Sequence, residues 1–426
     1  MTSIHSQHAR EFAIDIVKKL RDAGFRTLWA GGCVRDELLG LRPKDYDVAT
    51  NATPQQIRDV FGRRQTLAIG QAFGVITVLG PKSAGQVEVA TFRRDAEYSD
   101  GRHPDGVTFC DAEEDAKRRD FTINGLFYDP LQQEVIDYVG GREDLQRRVV
   151  RAIGDPDARL SEDKLRMMRG VRIAANFDFE LDAATLAAIQ RRATEISVVS
   201  AERITAELRK MLNNVHCARA VELLRVARLL PAILPELECP RDSNDTTAEW
   251  AAWQVTLDIL RHLPIPHFPA AMAALLRRRT QASPDGQVLL EKVAERLTLT
   301  NIEHKAVSFL LANESTILAA RTSSWPDVQR VLIEDGVLEL VGYCRAITTA
   351  AGGDIADIEF CEAKLRLPIE VLNPPHLASG VDLKAAGIPP GPAYKDILKT
   401  IRDAQLEGRI SSKQEAREMI GELAPP

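Results

Sequence analysis

The chain has 426 residues, of which 45% are hydrophobic and 27% charged, with a formal net charge of -6. That length exceeds what one hydrophobic core usually supports, so roughly three or four folding units are expected, and the balance of apolar and charged residues excludes a disordered, repetitive or low-complexity chain. The acidic total argues against a uniformly basic nucleic-acid binder, although residues 142–228 carry 17 Lys/Arg against 13 Asp/Glu and form a locally basic stretch.

The first predicted element is a helix in HAREFAIDIVKKLRDAG, where Ala9, Phe12, Ala13, Ile16, Val17 and Leu20 recur at helical spacing and Gly24 supplies a stop. Short strand-like runs follow, RTLWA, YDVAT, GVITVLG and QVEVATF, bounded by Gly, Pro and Asn turns, which predicts a small α/β domain closing near VIDYVGGREDL. The remainder reads as nearly all helical. SEDKLRMMRGVRIAANF, DAATLAAIQRRATEI and SAERITAELRKMLNN show apolar residues at steps of three and four, with Ser161, Asp182 and Ser200 as expected N-caps. CPRDSNDTTAEW reads as a surface loop, and LNPPHLASG and AAGIPPGPAY punctuate the chain before a last pair of helices.

The cysteines, Cys33, Cys110, Cys217, Cys239, Cys344 and Cys361, make no C-x-x-C pair and no Cys/His zinc spacing, which points to reduced thiols and a cytoplasmic protein. MTSIHSQHAREF has no apolar signal core, and runs such as VARLLPAILPEL are too short and too broken by proline to span a bilayer.

The chemistry concentrates in the α/β part. In LWAGGCVRDELLG, Gly31 and Gly32 fall at an expected strand-to-helix turn, where backbone N–H groups can approach a phosphate chain. If KDYDVAT begins a strand, Asp45 and Asp47, two apart, leave it on the same face and can hold a hard divalent cation such as Mg²⁺. By itself an Asp-x-Asp pair equally describes solvated loop residues; the glycine turn beside it points to phosphoryl or nucleotidyl transfer. Glu88, alternating with Val87 and Val89, offers a third carboxylate or merely a polar residue on a half-exposed strand. In KRRDFTINGLFYD, Asp120 and Asn124 would share a helix face and could grip a ribose while Arg118 and Arg119 meet phosphates; a capping cluster with surface arginines is the other reading.

In this order the segments resemble the nucleotidyltransferase superfamily that includes the poly(A) polymerases and, within it, the class II CCA-adding enzymes of bacterial type. The matching pieces are GGCVRDELLG with KDYDVATNATP, KRRDFTIN, EDKLRMMRGVRIA, SAERITAELRKML and the tail-like GIPPGPAYKDILKTIRDAQLEGRISSKQEA. The resemblance implies an α+β fold, with a small nucleotidyltransferase head containing a mixed sheet at 1–142, an all-α neck at 143–228, a body at 229–330 and a tRNA-binding tail at 331–426. It implies catalytic Asp45, Asp47 and Glu88, with Mg²⁺ on Asp45 and Asp47. Nucleotide binding would fall to Gly31, Gly32, Arg35, Arg119, Asp120, Asn124, Asp163, Arg166 and Arg169.

The family selects bases with an Asp and an Arg, here Asp163 and Arg166, three apart in a helical pattern and expected on one face. Cytosine and adenine each set an amino donor beside a ring acceptor, which suits a carboxylate and a guanidinium; uracil and guanine reverse that order and would leave both groups unpaired. The reading without the family is an ion pair on a solvated helix face. RRDAEYSDGRHPDG looks like the family's full-length flexible loop, expected to help the switch to ATP; deleting residues 96–106 should then spare C addition and abolish A addition.

The implied activity is addition or repair of the 3′-terminal CCA of tRNA from CTP and ATP with release of pyrophosphate. Alternatives are an A-adding specialist or a poly(A) polymerase and, from another class, a non-catalytic RNA-binding protein. Arg147, Arg148, Arg151, Arg169, Arg172, Arg191 and Arg192 could form a track for RNA phosphates, and the resemblance implies that body and tail clasp the acceptor and T arms. In MAALLRRRT, Arg277 and Arg278 stand where some bacterial relatives carry a His-Asp metal pair, so a scaffold is expected there, and His262 and His267 read as packing or surface residues.

Overall fold

Helix α1 (Ser3–Asp22) opens the fold, and Ala13, Ile16, Val17 and Leu20 are fully buried because residues three and four apart share one side of a helix. Gly24 follows at φ +86°, a left-handed conformation that glycine adopts without a Cβ clash. The structure, a computed structural model, describes residues 3–95, 106–237, 247–282 and 286–423.

A mixed sheet comes next. Its strands are β1 (Thr27–Ala30), β2 (Asp47–Thr50), β3 (Thr66–Leu67), β4 (Val75–Leu79) and β5 (Gln86–Thr91). They are followed, after a separate antiparallel pair of β6 (Arg93–Asp95) and β7 (Val107–Phe109), by β8 (Phe127–Asp129) and β9 (Glu134–Ile136). The order across the sheet is β3-β4-β5-β2-β1-β8-β9. β2 and β5 run parallel, while the other neighbours are antiparallel. The strand-like runs of the sequence are β1, β2, β4 and β5, whose Val, Ile and Thr residues fill a pleated, half-buried surface.

Three helices join these strands: α2 (Gly32–Leu38), α3 (Pro54–Phe61) and α4 (Ala112–Lys117). Thr53 and Gln56 close a capping box at the start of α3, with Pro54 at its first position. Beyond the sheet lie α5 (Gly141–Arg147), α6 (Pro156–Glu162), α7 (Leu165–Asn176), α8 (Ala183–Arg192) and α9 (Ala201–Leu212).

The single helix read in SEDKLRMMRGVRIAANF is interrupted. Helix α6 ends at Glu162, Asp163 is extended at φ -138° and ψ 109°, and α7 starts at Leu165. Ser161 is therefore no N-cap; it lies inside α6 and donates to the Ala158 carbonyl at 2.7 Å. The cap of α6 is Asp155, which accepts from Asp157 and Ala158 N–H, and Pro156 behind it is preset for a first helical turn. Asp182 caps α8 through the Thr185 N–H at 3.1 Å. Ser200 directly precedes α9, its carbonyl accepting from Arg203 and Ile204.

One buried cluster runs from Trp29, Val48 and Val89 in the sheet through Phe121 to Ile173 and Phe179, so the sheet and α7 share a core. The chain divides into two compact units, Met1–Met211 with Arg219–Asp242, and Leu212–Ala218 with Ser243–Pro426. The first holds most of the expected head and neck, the second most of the expected body and tail.

The second unit is helical, with long elements at Thr247–Arg261, Phe268–Ala282, Asn301–Leu318 and Val337–Ala350. Arg277 meets the buried Glu314 at 3.1 Å, a packing role in keeping with the expected scaffold. The ring of His262 lies 2.8 Å from the Asp258 carbonyl, and burial lowers the pKa of His267 against the opposing charge of Glu339. Leu383, Ile388, Ile397, Ile401, Ile410 and Ile420 form a separate cluster under the final helices. Among the described residues no helix is long and apolar enough to cross a membrane. The expected loop at 96–106 falls, apart from Gly106, outside the described residues, as do residues 239–246 of the expected surface loop.

Candidate active site

Asp47 opens β2 and stands in register with Glu88 on β5. Val87 and Val89 pack into the core on the opposite face, so strand alternation turns both carboxylates outward together. Asp45 does not share the strand: pairing begins at Asp47, and Asp45 sits on a bend before it. The expected alternation from one strand therefore does not relate the two aspartates. The buried Tyr46 between them anchors the approach, its hydroxyl donating to Glu37 at 2.8 Å and its ring packing 4.7 Å from that of Trp29.

Asp45, Asp47 and Glu88 all line one cavity of about 1070 Å³. Crowding by protein and the charge of Glu88 push the Asp47 carboxyl up to about 6, with Asp45 adding to the rise and Arg119 opposing it. All-oxygen donors whose repulsion Arg119 offsets only in part suit a hard divalent cation. Among the described residues no three His, Cys, Asp or Glu side chains already converge as a metal cage. The carboxylates thus offer part of a coordination shell, as suits an ion that keeps waters and takes substrate phosphates.

The glycine turn borders the same cavity. Gly31 has φ +76° and ψ -133°, a backbone conformation that requires glycine, and a Cβ there would also crowd Arg119 Nη1 at 3.0 Å. Burial pushes the neighbouring Cys33 thiol up to about 12, which keeps it a protonated packing group.

A connected network supports the next wall. Arg35 donates to Asn124 Oδ1 at 2.7 Å, Asn124 Nδ2 donates to Asp120 at 3.0 Å, and Arg169 donates to Asp120 at 2.6 Å. The Arg35 guanidinium also lies 4.3 Å from the centre of the Phe177 ring. Burial alone would raise the Asp120 carboxyl, but the Arg169 charge and the Asn124 hydrogen bond hold it well below the usual range. Asp120 and Asn124 do not share a helix. Helix α4 ends at Lys117 and a 3₁₀ turn at Thr122–Asn124 brings them together. The buried Asp115 pairs with Arg118 at 2.8 Å and Arg119 at 3.0 Å, holding both arginines from behind.

Asp163 and Arg166 also line the cavity, but not as one helical pair. Asp163 lies between helices and accepts from Arg203 at 2.9 Å and from the Leu165 N–H at 3.0 Å. Arg166 pairs with Glu162 and donates to the Arg159 carbonyl at 2.9 Å. Each member of the expected pair is thus oriented by its own partner. Arg203 and Glu162 were not singled out from the sequence, although Glu162 stands four residues before Arg166, the spacing of a helical ion pair. Arg172 similarly meets Glu207 at 2.6 Å.

Most of the arginines expected to form a phosphate track are engaged within the protein. Arg147 pairs with Glu143, Arg151 with Asp144 and Asp182, and Arg191 and Arg192 with Asp157. Glu143 stands one helical turn from its arginine and Asp182 caps α8, while Asp144 and Asp157 reach theirs from farther along the chain, and together they neutralise much of the local excess of positive charge. All of the expected site residues, Gly31, Gly32, Arg35, Asp45, Asp47, Glu88, Arg119, Asp120, Asn124, Asp163, Arg166 and Arg169, border the one cavity.

Comparison with known proteins agrees with this architecture. Residues 27–151 match the family described as Poly A polymerase head domain, and residues 178–239 that described as Probable RNA and SrmB- binding site of polymerase A. The CCA-adding enzyme of Limosilactobacillus fermentum is 30% identical over 97% of this chain and 97% of its own length. That of Bacillus pumilus is 39% identical over 54% of this chain, the match spanning 56% of that relative. The crystal structure of the Bacillus stearothermophilus CCA-adding enzyme in complex with CTP superposes with a TM-score of 0.75 at 27% identity, covering 99% of this chain and 98% of that one. The chain belongs to the CCA-adding enzymes, nucleotidyltransferases built on a poly(A) polymerase head.

Proposed function

We propose that the protein is a template-independent tRNA nucleotidyltransferase that adds or repairs the 3′-terminal CCA from CTP and ATP, releasing pyrophosphate in the cytoplasm. The observation that carries this reading is the meeting, in one cavity, of three carboxylates, a glycine turn with arginines, and an Asp and an Arg suited to a base edge. The domain roles follow the same reading: head at 1–142, neck at 143–228 with the base-reading couple, body at 229–330, and a tail at 331–426 that helps hold the acceptor and T arms.

Asp45 and Asp47, with Glu88 beside them, would hold the divalent cation of the family, here assigned as Mg²⁺. When bound, it favours the ionised form of an attacking hydroxyl and neutralises charge on the transferring phosphate. Gly31 and Gly32 bring backbone close to the triphosphate, and Arg35 and Arg119 offer charge to it. Asp120 and Asn124 present hydrogen-bonding groups to the ribose, fixed in place by Arg169. The primer 3′-hydroxyl attacks the α-phosphorus, the new P–O bond replacing the bond to the departing pyrophosphate.

Asp163 accepts from the amino group of cytosine or adenine while Arg166 donates to the adjacent ring nitrogen. Uracil and guanine place a carbonyl against the carboxylate and an N–H against the guanidinium, so acceptor meets acceptor and donor meets donor at the base edge. The test offers the purified protein, with Mg²⁺, tRNAs ending before CCA, after C and after CC, with CTP and ATP separately and together. Stepwise growth to CCA on a gel is expected; growth by A alone, or a long A tail, would replace this reading with an A-adding enzyme or a poly(A) polymerase.

A further inference from the structure

Asp47, Glu88, Thr77 and Leu67 form one transverse row across β2, β5, β4 and β3, each in register with the next. Residues directly opposite on neighbouring strands point to the same face, so the carboxylate face continues from the centre of the sheet to its β3 edge. There its chemistry changes. Ile69 is 87% exposed and Phe73 39% exposed, and both border the same cavity as the carboxylates. Gly70 keeps the turn between them tight, since a Cβ there would stand 2.9 Å from that of Val75.

The sheet order separates two sides of the reaction. The glycine turn follows β1, on the far side of β2 from β5, and the groups proposed for triphosphate and ribose lie with it. In phosphoryl transfer the attacking and departing oxygens stand roughly in line through phosphorus. On the nucleotide-addition reading a primer hydroxyl then arrives from the β4–β3 side, where Ile69, Phe73 and Val75 line the wall beside Thr77 and Gln86.

We propose that Ile69 and Phe73 form the seat of the primer's 3′-terminal nucleotide, its base stacking on these side chains. The adjacent Thr77 and Gln86 offer polar atoms to its sugar. This subsite rests on the nucleotide-addition reading and deepens it. An apolar platform suits the task, because the last base of the primer changes with each addition and every base has a face that can stack. Arg93, which also borders the cavity and donates to the Phe73 carbonyl, brings positive charge beside the platform for the primer backbone.

The test compares wild-type protein with Ile69→Ser, Phe73→Ala and Phe73→Tyr. It measures KM and kcat for a tRNA ending before CCA and, by direct titration, the Kd for CTP. Ile69→Ser and Phe73→Ala are expected to raise the primer KM about tenfold, the size of one lost stacking contact, with the CTP Kd changed by less than about twofold. Phe73→Tyr should restore the wild-type KM. Extension by the wild type with an unchanged primer KM in both truncations would overturn the subsite alone, as would a loss of CTP binding that tracks the loss of activity. A wild-type protein that extends no RNA would overturn the nucleotide-addition reading and the subsite with it.

Discussion

Asp47 and Glu88 face one another in register across the parallel pair of β2 and β5, and their mutual repulsion helps raise the Asp47 carboxyl to about 6. On the proposed function, a divalent cation held by these carboxylates would relieve that repulsion. Asp47→Ala should therefore lower nucleotide addition by about 10³-fold, the scale of removing a metal's several kcal/mol of charge stabilisation. Primer extension measured beside CTP binding checks it: binding should persist while extension is lost. Chelation by EDTA should abolish extension, and added Mg²⁺ should restore it.

Asp163 is held at 2.9 Å by Arg203, so base selection should depend on both. Asp163→Ala should relax discrimination against UTP and GTP by about tenfold or more, the cost of one unpaired buried group. Arg203→Ala should shift selection in the same direction by less, because the carboxylate remains but loses its orientation. Competition between CTP and UTP in single-addition assays would show it; unchanged selection in Asp163→Ala would remove this residue from the reading of the base.

Asp115, Asp120 and Glu207 have carboxyl pKa values held below their ordinary 3.8, 3.8 and 4.5, against burial, by Arg119 and Arg118, by Arg169, and by Arg172 respectively. A lowered folded pKa means that the unfolded chain takes up the proton first. The stabilisation is full above the unfolded values, near pH 4 to 5, and is lost as pH falls through the folded values. Urea unfolding from pH 7 to 3 should show stability declining below about pH 4.5, with a shallower decline in Asp115→Asn.

In the second unit Glu314 lies 3.1 Å from Arg277, yet burial outweighs that charge and the Glu314 carboxyl is raised. The pair is thus expected to specify packing more than to stabilise it. Arg277→Ala should cost about 3 kcal/mol by stranding a buried carboxylate, whereas Glu314→Gln should change stability by less than about 1 kcal/mol. Because the folded pKa is raised, the penalty in Arg277→Ala should shrink as pH falls and Glu314 takes up its proton. Denaturant midpoints at pH 7 and 5 would test both statements.

The site was legible wherever a short motif keeps its chemistry without distant help. The glycines before CVRDELL, the alternation around Glu88 and the Asp and Asn of KRRDFTIN could each be found from spacing. Their local geometry differs from what spacing alone implies. Asp45 lies outside its strand, Asp120 meets Asn124 through a 3₁₀ turn, and an extended Asp163 interrupts what reads as one helix. At two of these places a side chain competes with regular backbone bonding: Asp163 accepts the Leu165 N–H and Asp120 the Phe121 N–H.

The sequence by itself determined a strand-bearing head followed by a helical remainder, the positions of the main strands and helices, and the short motifs whose side chains meet in one cavity, because periodicity and motif spacing are local properties. Only the tertiary structure decided that Arg203 holds Asp163, that Glu162 and not Asp163 partners Arg166, that carboxylates absorb most of the neck arginines, and that an apolar edge adjoins the carboxylates. These are long-range pairings and strand orders. They are set by which surfaces bury together, and no local window of residues contains that information.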